Sequence, residues 1–176
     1  MGLSNIKKLR ELTSLGVNDC RKALSESKGD VNKAVKILKS KGAQMLEKKG
    51  SRVTRQGVID SYVHFGGNLA ALVEVNCETD FVARTDLFKK FVKDIAMQVA
   101  AANPEYIAKK DISNDVLKDV KNKDVYIKQY CLLEQVFIKD NKLSVGDYLR
   151  DTVSQTGENI VIKRFVRFSL GESDEG

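Results

Sequence analysis

Apolar side chains recur at helical spacing through the first forty residues. Leu3, Ile6, Leu9 and Leu12 form one stripe, Cys20, Ala23 and Leu24 a second, and Val31, Ala34, Val35 and Leu38 a third. The punctuation between them agrees. Gly16 follows the first stripe, Asn18 or Asp19 can cap the second, Gly29 closes it, Asp30 can cap the third, and Gly42 ends that one. The pattern predicts three short helices in a compact unit over residues 1–42. Residues 43–56 are basic and carry little apolar material, which predicts a linker or a fraying helix.

At Gly57 the period changes to two. Val58 to Phe65 predicts a strand, Gly66-Gly67-Asn68 a tight turn, and Leu69 to Cys77 the returning strand, with Leu69, Ala71, Val73, Val75 and Cys77 on one face. Glu78-Thr79-Asp80 breaks the strand. A strong helix follows from Asp86 to Ala102, with Leu87, Phe88, Phe91, Val92, Ile95, Ala96 and Val99 as its stripe, and Asn103-Pro104 ends it. Residues 109–124 are the most polar stretch and predict a solvated connection with one helical turn. Val125 to Ile138 predicts a further helix, Ser144 caps another that Gly157 stops, and Ile160 to Leu170 predicts a last strand. On that strand Ile160, Ile162, Val166, Phe168 and Leu170 are placed on one side, with Arg164 the lone basic intruder. The fold class is α+β: a three-stranded antiparallel sheet with helices against it over residues 57–171, then an acidic tail at 172–176.

Charge changes the picture in one respect. The net charge of +6 is unevenly placed: residues 1–56 hold 14 basic and 5 acidic side chains, residues 57–176 hold 16 and 19. A basic head suits nucleic acid or an acidic protein surface. Yet residues 1–56 contain no aromatic side chain to stack a base, and their lysines spread over several helix faces. A basic RNA- or DNA-associated module is therefore the second reading of the chain. No apolar run approaches a membrane span, and the N-terminus has neither secretory nor transit-peptide character, so the chain is expected to be cytoplasmic or the mature form of something imported. Cys20, Cys77 and Cys131 are too scattered for a disulfide framework and read as small hydrophobes kept reduced.

Catalytic chemistry finds little support. His64 is the only histidine, no metal-ligand spacing such as C-x-x-C is present, and the phosphate-cradling G-x-x-x-x-G-K-[ST] is absent. The unusual segment is Glu74 to Ala83, which sets Asp80 beside Phe81 at a strand-to-helix junction. Two readings are open: Phe81 in the core with Asp80 as a helix cap, or both projecting as a probe into a partner.

Leu-Arg-Glu-Leu-Thr at 9–13, Gly16-Val17, Asp19 to Leu24, Gly57-Val58-Ile59, Thr79-Asp80-Phe81-Val82 and Gly157 to Ile160 together resemble bacterial translation elongation factor Ts, in family order and over nearly the whole chain. The resemblance implies an exchange factor for the GTPase elongation factor Tu, with no catalytic step, no cofactor, no membrane and no direct contact with nucleic acid. It implies that the N-terminal unit is similar to a ubiquitin-associated domain and docks on the GTPase through Val17, Asn18 and Arg21. It also implies that Thr79, Asp80, Phe81 and Val82 intrude beside the partner's Mg²⁺ site, Asp80 and Phe81 disrupting it while Thr79 and Val82 fix the junction. Asn18 stands where the family usually has an apolar residue, and Val136 where proline is common. The single core is similar to short-form members, which implies a homodimer binding two GTPase molecules.

Overall fold

The computed structural model describes residues 3–13 and 15–172, which fall into two compact units: residues 1–53 with 150–159, and residues 54–149 with 160–176. In the first unit, α1 (Leu3–Thr13), α2 (Val17–Glu26) and α3 (Val31–Lys49) close around Leu9, Cys20, Ala23, Leu24, Ala34 and Leu38. Asp30 caps α3 by accepting from the Lys33 amide at 3.0 Å. Two boundaries differ from the sequence pattern. Helix α2 starts at Val17 with Gly16 as its cap residue, so Asn18 and Asp19 lie inside the first turn, where the Asp19 carboxylate favours the helix dipole. Helix α3 runs through Gly42 to Lys49 and takes in the first half of the expected linker. One glycine inside a helix costs only about 1 kcal/mol, too little to stop a long helix. Leu12 shares the spacing of Leu9 yet is exposed, and the side chain of Leu3 lies outside the described residues.

The second unit is built on a three-stranded antiparallel sheet in the order β1 (Gln56–Val63), β2 (Leu69–Cys77), β5 (Ile160–Ser169). Gly66 and Gly67 both take positive φ in the β1–β2 turn, the left-handed backbone that favours glycine. Ala71, Val73, Val75 and Cys77 are buried on one face of β2, in the predicted alternation. A long helix, α5 (Asp86–Ala102), packs on that face and buries Phe88, Phe91, Val92, Ile95, Ala96 and Val99. Asn103 ends it in the left-handed conformation.

Strand β5 departs from simple alternation. Val75 pairs with Ile162 but Glu74 pairs with Arg164, so Lys163 is an extra residue in a β-bulge. Past the bulge the faces exchange. Ile160 and Ile162 are buried as expected, whereas Val166 and Phe168 turn to the exposed face and share it with Arg164. Beyond the strand, Glu172 accepts two bonds from Arg167, and the remaining tail lies outside the described residues.

The segment between α5 and β5 also differs from expectation. The polar stretch holds a 3₁₀ turn at Lys109–Asp111 and the helix α6 (Asn114–Asp119). Ile112, Val116 and Leu117 pack with Ile127 and Cys131 in a small satellite core, so this stretch is not wholly solvated. The helix expected over 125–138 stops early: α7 spans Lys123–Tyr130, and a short hairpin, β3 (Val136–Phe137) with β4 (Asp140–Ser144), follows. Two glutamines explain the change. Buried Gln98 on α5 receives the Ile138 amide at 2.9 Å and donates to the Val136 carbonyl at 3.2 Å, while Gln135 donates to the carbonyls of Gln129 and Ala102. These bonds satisfy a backbone that has left helical pairing. Ser144 caps α8 (Val145–Thr156) reciprocally with Asp147, and Gly157 follows with φ 72°.

One buried carboxylate fastens the hairpin and Tyr148 to α5. Asp94 accepts from Lys139 at 2.6 Å, Lys90 at 2.7 Å and the Tyr148 hydroxyl at 2.9 Å. Burial pushes its pKa up, but the three hydrogen bonds outweigh burial and hold it below the ordinary carboxylate value. Burial and the same carboxylate push the Tyr148 hydroxyl well above the usual tyrosine value.

Two predictions follow from this packing. Asp94→Asn lowers unfolding free energy by about 2–3 kcal/mol at pH 7, because the two lysines lose their charged partner and one of the two acceptor oxygens becomes a donor. A carboxylate with a depressed folded pKa contributes fully above its unfolded value and loses that contribution as pH falls through the folded one. Urea midpoints of the wild type therefore drop more steeply than those of Asp94→Asn below the ordinary value of 3.8. Gly57→Ala places a Cβ 2.3 Å from the Val75 carbonyl oxygen and 2.8 Å from Asn76 Cα, so urea unfolding registers a loss of about 1–3 kcal/mol.

Candidate functional site

The strand-to-helix junction is a rigid step with one aromatic on it. Strand β2 ends at buried Cys77, whose thiol donates to the Thr79 carbonyl at 3.1 Å. Thr79 is extended and its hydroxyl accepts from the Val82 amide at 3.3 Å, which starts the single turn α4 (Asp80–Ala83). Thr85 repeats the device: its hydroxyl donates to the Val82 carbonyl at 2.8 Å and accepts from the Phe88 amide at 3.2 Å, starting α5. Two caps six residues apart leave little freedom between them. Ala83 is buried, Val82 half-buried, and Phe81 79% exposed. Asp80 is the first residue of the turn and pairs with Arg84 at 2.9 Å, a solvent-facing contact of small energetic weight.

Of the two sequence readings of this segment, the core placement of Phe81 and the cap role of Asp80 are therefore incorrect. Thr79 supplies the cap and Phe81 stands in solvent. Sequence pattern missed this because Asp and Thr are both good caps, and a one-turn helix has no stripe to show which side is buried.

In the first unit, Val17, Asn18 and Arg21 all lie on the first two turns of α2 and all are exposed. Val17 and Arg21 are four residues apart and so share one helix face. Leu12, in the last turn of α1, is 59% exposed and adds an apolar side chain that the sequence pattern assigned to the core.

A third surface comes from the bulge. The outward face of the sheet carries four cross-strand rows: Gly57–Asn76–Val161, Ile59–Glu74–Arg164, Ser61–Leu72–Val166 and Val63–Ala70–Phe168. Without Lys163 as an extra residue, β5 would present Lys163, Phe165 and Arg167 outward instead of Arg164, Val166 and Phe168. A groove of about 310 Å³ is lined by Ile59, Leu72, Phe165 and Val166 together with Glu74 and Arg164. Arg164 Nε donates to Glu74 at 2.7 Å, and this bond, ahead of the opposing effect of burial, holds the Glu74 carboxyl below the usual range.

Among the described residues no group of three or more His, Cys, Asp or Glu side chains could hold a metal, and no helix is long and apolar enough to cross a membrane. Cys20, Cys77 and Cys131 are buried and none is joined in a disulfide. Burial raises the Cys131 thiol pKa, which keeps it protonated and unreactive. What the arrangement offers is shape: a fixed exposed aromatic, an exposed helix start and an apolar sheet face.

A comparison with family models matches Elongation factor TS over residues 4–129 and 122–172. The chain belongs to the elongation factor Ts family. An elongation factor Ts from Thermoanaerobacter sp. strain X514 is 47% identical over 193 aligned positions, covering 97% of this chain and 95% of that protein. One from Carboxydothermus hydrogenoformans is 45% identical, covering 95% of this chain and 88% of that protein. One from Thermotoga neapolitana is 44% identical, covering 95% of each. The family places the chain in translation elongation, within protein biosynthesis. The exposed junction, the start of α2 and the bulged sheet all lie within the matched residues.

Phe81→Ala removes a ring that packs against little of its own chain. Its unfolding free energy stays within about 0.5 kcal/mol of wild type in urea titrations followed by circular dichroism. A loss comparable to a core truncation, about 3 kcal/mol or more, would assign Phe81 to the core after all.

Proposed function

We propose that the chain is a guanine-nucleotide exchange factor for the translational GTPase elongation factor Tu. It promotes GDP release by disturbing the Mg²⁺ and phosphate site and by stabilising the nucleotide-free state. The observation that carries this reading is Phe81, 79% exposed on a doubly capped turn within a chain of this family. A large apolar ring held in water by a rigid backbone loses little conformational freedom on entering a partner, which favours binding through it.

Val17, Asn18 and Arg21 dock the N-terminal unit on the GTPase, with Leu12 extending their apolar contact. Thr79 and Val82 hold the junction, Phe81 wedges between partner elements, and Asp80 brings a carboxylate near the cation. Mg²⁺ in such GTPases bridges nucleotide phosphates and protein ligands, so disturbing its shell weakens nucleotide binding. No covalent step and no cofactor enter. The factor binds the empty GTPase better than the loaded one, and that difference is the whole driving force. This work belongs in the cytoplasm, where translation runs.

The chain acts as a homodimer in a complex with two GTPase molecules. The apolar sheet face supports this: the bulge turns Val166 and Phe168 outward beside Leu72 and Val63, a contiguous surface that a second copy covers.

Release of a fluorescent GDP analogue from loaded elongation factor Tu, followed by stopped flow, tests the exchange reading. Micromolar wild-type chain accelerates release, Phe81→Ala lowers the second-order rate about tenfold or more, equivalent to about 1.4 kcal/mol, and Asp80→Ala lowers it less. No acceleration by the folded wild-type chain contradicts the proposal.

A further inference from the structure

The outward sheet face carries charge in one place. Of its four rows, only Ile59–Glu74–Arg164 is charged, and its charges form an ion pair: Glu74 on the central strand and Arg164 on β5. The Lys163 bulge that makes the face apolar also puts Arg164 on it. Covering this row with apolar side chains would strip water from both charges with nothing in return. Covering it with an equal row, turned by a two-fold axis, sets each carboxylate near a second guanidinium. The Arg164 geometry fits that use. It reaches Glu74 through Nε, and its two terminal nitrogens make no hydrogen bond to any described residue. A guanidinium presents five donors in a planar fork and commonly holds a carboxylate through two of them.

We infer that the Glu74–Arg164 pair selects how two copies of this chain meet, by joining the same pair of the second copy in a four-charge cluster of alternating sign. This rests on the homodimer reading. Closed two-fold dimers are self-complementary, so a residue placed on one side of such an interface is also present on the other. The apolar rows supply attraction without direction, and the charged row supplies register. A face shifted along the strands would set the pairs against Leu72 and Val166 in one direction or Asn76 and Val161 in the other, neither row carrying a charge, and is thereby excluded.

The test is a subunit-mixing experiment. The exchanged variant Glu74→Arg/Arg164→Glu keeps the pair within each chain but reverses its sense. Each chain alone, wild type or variant, forms a dimer by sedimentation. When differently tagged chains are mixed and dimers counted by native mass spectrometry, mixed dimers fall at least about tenfold below their statistical share, because like charges then meet. Mixed dimers at the statistical share, with both homodimers formed, overturn the inference and leave the homodimer reading intact. A monomeric wild type overturns both. Should the exchanged variant fail to fold by circular dichroism, Glu74→Leu/Arg164→Leu takes its place. Its dimers with the wild type are depleted because the wild-type pair then faces leucine, and statistical mixing overturns the inference as before.

Discussion

The sheet and the β3–β4 hairpin are both fastened to α5. One side of that helix closes the sheet through Phe88, Phe91, Val92 and Val99. A stripe beside that face is buried too, and there the side chains are polar: Asp94 binds Lys139 and Tyr148, and Gln98 binds the β3–β4 hairpin. A helix held along two stripes cannot shift without breaking apolar packing and charge-assisted bonds together. Its first residue follows Thr85, the second cap of the exposed junction. The rigidity of α5 is thus passed directly to Phe81.

That arrangement gives Phe81 the stiffness that the proposed exchange role asks of it. A wedge must keep its shape while the partner yields. The caps at Thr79 and Thr85, the buried Ala83 and the anchored α5 all remove freedom from the turn that bears Phe81. In the proposed exchange, energy for nucleotide release comes from differential binding, as in any linked equilibrium.

The elements legible in the sequence were those with a strong period. Strand β2 and helix α5 span the expected residues because alternating valines and a long apolar stripe each admit one structure. The β5 faces were misassigned beyond Ile162, since a bulge depends on pairing with β2 and leaves no local mark at Lys163. Strand β3 falls within the helix predicted over 125–138 because its support comes from Gln98, nearly forty residues earlier. At the junction, the identity of the segment was legible but its exposure was not. Composition favours burial of phenylalanine, and only the completed fold shows Phe81 in solvent.

The central claim is that the chain and guanine nucleotide oppose one another on elongation factor Tu. Its most direct measurement is the affinity of the chain for that GTPase by titration calorimetry, without nucleotide and with saturating GDP and Mg²⁺. The account predicts that GDP weakens the chain's binding by the same factor by which the chain weakens GDP binding, as linkage requires. An affinity unchanged by GDP would contradict it.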